Sequence, residues 1–193
     1  NLINMSEKVL QKNIDSLIKG VMSTYKSSNP YLTPSQIQLE SNYFKNILYQ
    51  WLSYEKTKRP AFRVIESEKK YKINIDRITF NVKIDRIDEY QDGSRLLIDY
   101  KAESKDTASK WTKIPITSLQ MPVYITFTDV KNISAAGIAY IHNKNLKLVG
   151  LSSYGQDPLD GELKDCSLSK KDEGQWQYLI NSWHKDIHKL TSG

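Results

Sequence analysis

The sequence predicts an α/β or α+β fold in which helices flank a mixed sheet. Three observations predict it. Two helical periodicities open the chain, short alternations rich in Ile, Val, Tyr and Phe fill its middle, and a last amphipathic segment closes it. The order is helix, helix, three strands, helix, two strands, helix.

Residues 6–25 place Val9, Leu10, Ile14, Leu17, Ile18 and Val21 at helical spacing, with Ser6 as N-cap. Thr33-Pro34 opens a second helix to about Thr57, where proline fits the first turn. Its Leu39, Tyr43, Phe44, Ile47, Leu48, Trp51 and Leu52 form a broad apolar stripe suited to core packing. From Ala61 to Lys101 the period falls to two, with breaks near Asn74–Arg77 and at Gln91–Ser94, which predicts a three-stranded antiparallel meander. Residues 118–129 suit a short helix with Pro122 near its start. The runs AAGIAYIH and LKLVGLSS read as two more strands joined at Asn143–Asn145. A helix from about Asp172 to Leu190 gathers Trp176, Leu179, Ile180, Trp183 and Ile187 on one side.

Composition narrows the classes. With 193 residues, 39% hydrophobic and 26% charged, the chain has enough apolar surface for one ordered domain. A net charge of +6 leans mildly toward polyanions such as nucleic acid. Cys166 is the only cysteine, so no disulfide framework or CxxC metal site forms within the chain, and a reducing, cytoplasmic setting is expected. No apolar run nears the roughly 20 residues that span a bilayer, so no membrane partner is expected.

The chemistry concentrates in VKIDRIDEYQDGSRLLIDYK, residues 82–101. Asp99 and Lys101, two apart on a strand, leave the same face. Where Asp85 falls depends on the turn. A two-residue Asp92-Gly93 turn sets Asp85 against Tyr100 and disperses the charges. A three-residue loop, Gln91-Asp92-Gly93, with glycine left-handed, sets Asp85 against Asp99. Two opposed carboxylates repel unless a cation sits between them, and oxygen donors of this kind suit Mg²⁺ or Mn²⁺. The competing reading is a solvated hairpin in which Lys101 screens exposed aspartates.

Further residues join this hairpin in order: Trp51-Leu52-x-x-Glu55, Phe62-x-Val64-x-x-x-Glu68, Lys83-Ile84-Asp85-Arg86-Ile87-Asp88, Ile98-Asp99-Tyr100-Lys101 and Leu119-Gln120-x-Pro122-x-Tyr124. The set resembles the RecB-type branch of the PD-(D/E)XK nuclease superfamily, and most closely the C-terminal nuclease domain of AddB-like DNA repair proteins. The resemblance implies a restriction-endonuclease-like core over residues 1–193, within a larger protein whose partners are DNA and a helicase or further domains of a repair complex. It implies Mg²⁺ or Mn²⁺ at Glu68, Asp85, Asp99 and the Tyr100 carbonyl, with Lys101 assisting the attacking water and Gln120 and Tyr124 lining the site or the DNA path. Glu66 is a rival to Glu68. Arg86 and Asp88 read as an ion pair that orients the hairpin. Trp51, Trp176 and Trp183 read as packing.

Lys110, Trp111 and Lys113 form a basic, aromatic cluster suited to gripping a backbone or stacking a base. His184 and His188, at i and i+4, lack a third metal ligand in view and read as surface residues. The chain departs from the family in one respect: many RecB-type nucleases carry a metal-binding histidine on an early helix, whereas His142 is the first histidine here. Either the chain is a fragment cut downstream of that helix, or its site lacks this ligand. AddB-like proteins often carry a four-cysteine iron–sulfur cluster around this domain, with its last cysteines just beyond the C-terminal helix.

Overall fold

A computed structural model describes residues 2–101, 110–113, 116–141, 146–153, 164–165 and 175–192. They fall into two compact units, one made of residues 2–59 with Leu146, the other of the described residues between Pro60 and Ile141 and from Lys147 onward. The joining segment Asn143–Asn145, His142, Cys166 and the expected helix start near Asp172 lie outside the described residues.

The first unit holds helices α1 (Glu7–Ser28) and α2 (Pro34–Lys58). Each starts where the sequence supplies an N-cap. The Ser6 hydroxyl accepts the Val9 N–H, and Thr33 and Gln36 form a reciprocal capping box ahead of Pro34. The apolar stripe on α1 is narrower than its periodicity suggests. Leu10, Ile14, Ile18 and Met22 are buried with Leu48 and Leu52 of α2 packed against them, while Val9, Leu17 and Val21 stay exposed. A single column at i, i+4 is all that one partner helix covers. On α2, likewise, Ile47 and Trp51 are buried whereas Leu39 and Phe44 are exposed. Glu55 and Arg59, one turn apart, form a buried ion pair at 2.7 Å.

The second unit is built on a six-stranded mixed sheet of β1 (Phe62–Ile75), β2 (Ile78–Tyr90), β3 (Arg95–Lys101), β4 (Ile133–Tyr140), β5 (Lys147–Ser152) and β6 (Lys164–Asp165), arranged in chain order. β1, β2 and β3 form the expected antiparallel meander. Helix α3 (Gln120–Phe127) then carries the chain over to β4, which lies parallel to β3. Parallel pairing requires such a crossover. Helix α4 (Gln175–Ser192) joins α3 on one core: Trp111, Met121, Tyr124, Ile125, Trp176, Trp183 and Ile187 pack with Leu97, Ala136 and Ile138 of the sheet. Two of the indole N–H groups have backbone partners. Trp176 donates to the Ile133 carbonyl at 2.8 Å and Trp183 to the Trp111 carbonyl at 2.7 Å.

The C-terminal end of α4 is tied to the tip of the β1–β2 hairpin. Asp76, in the left-handed region at φ 52°, accepts hydrogen bonds from Thr191 and Ser192 and pairs with His188. The hydroxyl of Thr191 and then His188 hold its carboxyl below the ordinary aspartate range. His184 lies beside His188, ring centroids 4.4 Å apart, and stacks on Phe127.

β4 and β5 approach closely at two facing glycines, Gly137 and Gly150. A Cβ at Gly150 falls on the Ala136 carbonyl oxygen and within 2.7 Å of the Gly137 Cα, both of them backbone atoms that cannot swing aside. Gly150→Ala is therefore expected to cost about 3 kcal/mol, the upper end for overpacking. The check is the urea midpoint at unchanged m; a shift near zero would show that the strands separate freely.

Candidate active site

The site begins with a turn. Between Tyr90 and Ser94 the loop is Gln91-Asp92-Gly93, the Tyr90 N–H donates to the Ser94 carbonyl at 2.9 Å, and Gly93 is left-handed at φ 82°. Asp92 accepts from the backbone and hydroxyl of Ser94, which fixes the loop. The three-residue loop sets the register Arg86↔Ile98 and Ile87↔Leu97, so Asp85 and Asp99 are the next positions to face each other. The two-residue alternative is thereby ruled out.

Central strand β3 buries Leu96, Leu97, Ile98 and Asp99 in succession, and Asp99 is only 3% exposed. The solvated-hairpin reading fails at this residue. A carboxylate so placed must be paired and hydrogen-bonded. Lys101 meets one of its oxygens at 2.8 Å, and the Gln120 amide donates to the other at 2.8 Å. Lys101 also donates to the Gln120 carbonyl oxygen at 2.9 Å, which closes a three-membered ring of side chains. Gln120 donates to the Tyr124 hydroxyl one helical turn on, at 3.0 Å, and that hydroxyl donates to the Lys83 carbonyl at 2.9 Å. Asp85 accepts the Tyr100 N–H at 2.9 Å, just past the last backbone pair of β2 and β3.

The electrostatics follow from this geometry. Burial alone lowers the affinity of Lys101 for its proton, but Asp99, by hydrogen bond and charge, and then Asp85, outweigh it, so the lysine is held above its ordinary value. It is an ammonium throughout the physiological range, a donor and not a base. Burial also pushes the Tyr124 phenol up, so it stays neutral and donates.

Of the predicted site residues, Asp85, Asp99, Tyr100, Lys101, Gln120 and Tyr124 are brought together. Glu68 is not delivered as a third metal carboxylate. It occupies the β1 position that the register sets opposite Asp85, yet its backbone is left-handed at φ 54°, its side chain is 64% exposed, and Lys83 takes it as ion-pair partner. Among the described residues no group of three His, Cys, Asp or Glu side chains is placed to hold a metal ion. Glu66, the rival, is engaged by Lys69 and Tyr71. Those bonds outweigh its burial and hold its carboxyl below the ordinary glutamate range. Arg86 and Asp88 do form an ion pair, at 2.7 Å, and Arg86 also donates to the Tyr100 hydroxyl at 2.8 Å.

The Lys110–Trp111–Lys113 cluster needs correction. Trp111 is 1% exposed, part of the core beneath Trp183, and offers no face to a base. A tryptophan between two lysines looks like a surface motif, but the α3–α4 core lacks a large side chain from this loop and recruits it. Lys113 is exposed and Lys110 half-buried. Conversely, Lys83, to which the motif gives no role, stands at the site's edge. Glu68, and after it the charge of Asp85, raise its proton affinity. The spacing Lys83-x-Asp85 mirrors Asp99-x-Lys101 and was the signal available.

A family model described as the PD-(D/E)XK nuclease superfamily matches residues 6–190. The chain belongs to this superfamily. Its α/β fold, a mixed sheet flanked by helices, is that of a restriction-endonuclease-like core. Comparison with curated proteins gave no match. Among solved structures the chain is similar to one described as "Crystal structure of SSO0001", at 16% identity, covering 86% of this chain and 69% of that one, with a TM-score of 0.32. That likeness is too distant to bear on the site. Among the described residues of this superfamily member, no helix is long and apolar enough to cross a membrane.

Asp85 and Asp99 suit a divalent metal of a particular kind. Their oxygens, with the Tyr100 carbonyl, are hard donors, and a carboxylate oxygen that accepts one hydrogen bond keeps a lone pair for a cation. Two carboxylates are too few for a closed protein cage but match Mg²⁺, which keeps several waters and binds through one or two carboxylates plus substrate phosphate.

Proposed function

We propose that this chain is the nuclease domain of a RecB-type, AddB-like DNA repair protein and hydrolyses DNA phosphodiester bonds with Mg²⁺ or Mn²⁺. The observation that carries the reading is the ring of Asp99, Lys101 and Gln120 with Asp85 in register beside it. Asp85, Asp99 and the Tyr100 carbonyl would hold the metal, which when bound lowers the pKa of a water and offsets phosphate charge.

The protein's own groups supply the rest. The Lys101 ammonium stands where it can hydrogen-bond a water or a phosphate oxygen whose charge grows in the transition state. Gln120 fixes both Asp99 and Lys101, and Tyr124 fixes Gln120, so the two charged groups keep their spacing without solvent rearrangement. Water adds to phosphorus, the bond to the leaving oxygen breaks, and that oxygen takes a proton. The working partner is DNA, with a helicase or further domains of a cytoplasmic repair complex delivering it.

The test is incubation of the chain with linear duplex and single-stranded DNA in Mg²⁺, Mn²⁺ or EDTA. Cleavage with either metal and none in EDTA is expected. One feature favours a second reading, a retired nuclease that binds or scaffolds: the diversion of Glu68 to Lys83. DNA binding without cleavage under every condition would select it.

A further inference from the structure

Beyond the metal-proximal residues, the distal half of the β1–β2 hairpin carries an unbalanced charge. Between Lys69 and Lys83 the sequence holds Lys69, Lys70, Lys72, Arg77 and Lys83 against one acid, Asp76. That acid is committed to the end of α4. Lys69 is neutralised by Glu66. The strand alternation sorts the remainder. Tyr71, Ile73, Phe80 and Val82 turn to the core, while Lys70, Lys72, Asn74, Thr79, Asn81 and Lys83 are exposed on the other face.

The register sharpens the point. Lys70 faces Lys83 directly across the strands, Lys72 faces Asn81, and Asn74 faces Thr79. Like charges in opposed positions are destabilising, and the Glu68 carboxylate that pairs with Lys83 offsets only one of the two lysines. The face is also free of large apolar side chains, unlike the core of a protein–protein interface, which is rich in aromatics and poor in lysine. Ammonium groups interleaved with amides and a hydroxyl suit phosphate oxygens.

This face leads into the site. The core alternation changes phase between Ile84 and Ile87, which are both buried in the same core, opposite the left-handed Glu68. There Lys83, the last lysine of the outer face, precedes Asp85 by two residues, and its backbone carbonyl accepts from the Tyr124 hydroxyl of the site. From Thr79 to Asp85 the strand rises roughly 20 Å, the rise of about six base-pair steps along a duplex axis.

We propose that the outer face of the β1–β2 hairpin is a track for the DNA phosphate backbone, with Lys70 and Lys72 as its outer contacts and Lys83 at its entry to the site. The proposal rests on the DNA nuclease reading and adds where the substrate lies. Glu68 then has a role other than metal binding: it holds Lys83 until phosphate replaces it.

The experiment is fluorescence anisotropy of labelled duplex and single-stranded DNA with the chain in EDTA, over a range of salt, for the wild type, Lys70→Ala/Lys72→Ala, Lys70→Arg/Lys72→Arg and the α1 control Lys12→Ala/Lys19→Ala. The hairpin alanine pair is expected to weaken binding about tenfold at low salt and to flatten the slope of log K against log salt by roughly one per lysine. The arginine pair should restore the slope, and the control should leave it unchanged. Wild-type binding with an unaltered slope in the hairpin alanine pair would overturn the track while leaving the nuclease reading intact. No DNA binding by the wild type would overturn both. Tighter, equally hairpin-dependent binding of an RNA of the same sequence would overturn DNA as the occupant.

Discussion

Asp99→Ala is expected to cut DNA cleavage by roughly 10²–10³-fold, the scale associated with removing one preorganised electrostatic group. The reason is the number of jobs this carboxylate holds at once. It pairs with Lys101, accepts from Gln120, and faces the position of Asp85 across the hairpin, so it joins the Lys101 cation to the carboxylates proposed to hold the metal. Alanine leaves the Lys101 ammonium and the Gln120 amide aimed at a void. Leaving buried donors unsatisfied costs about 1–3 kcal/mol, so the alanine variant must be compared with Asp99→Asn, which keeps shape and one acceptor oxygen. Both should lose activity, but Asn should recover most of the stability. The measurements are cleavage rate and urea midpoint on the same preparations. A folded Asp99→Asn chain that cuts DNA at the wild-type rate would place the chemistry elsewhere.

The legible parts of this protein were those set by local rules. Caps at Ser6 and Thr33, the period-two meander and the helix at Gln120 follow from propensity and pattern, and all are found. The Gln91-Asp92-Gly93 loop left two registers open, and the difference between a dispersed and an assembled site was a single residue of turn length. Gly93 settles it by adopting the left-handed conformation that the longer loop needs. What stayed hidden depended on tertiary context. Trp111 gives no local sign that α4 will cover it. Val9, Leu17 and Val21 have the right spacing for a core face and no helix to meet them in their own unit. Glu68 matches a motif position, yet its left-handed backbone and the proximity of Lys83 are properties of a paired strand, not of one segment. Sequence places residues on faces, but competition between partners for a charged group is settled only in three dimensions.

That competition also sets what Lys101 can do, and Lys101→Met is expected to slow cleavage by roughly 10²–10³-fold while leaving divalent metal binding largely intact. On the proposed reading metal binding depends on the carboxylates, which the substitution keeps. The cation contributes chiefly to the charge that appears during the reaction. Its protonation state decides the form of the loss. Because Asp99 and Asp85 hold its pKa above the ordinary lysine value, the ammonium's contribution to stability is fully present below the unfolded-state pKa and fades only as pH rises through the still higher folded-state one. Between pH 6 and 9, about the range in which DNA and metal remain manageable, the wild-type lysine therefore does not titrate. The methionine variant should run parallel to the wild type across this window, lower by a constant factor. Arginine at this position should rescue poorly, because a planar fork cannot reproduce a point donor already shared between Asp99 and Gln120. The measurements are the pH profile of kcat and titration calorimetry with Mn²⁺. A wild-type rate that rises with pH through this window, with the rise lost in Lys101→Met, would mean that the lysine acts as a base after all, and that its pairing with Asp99 is broken when DNA binds.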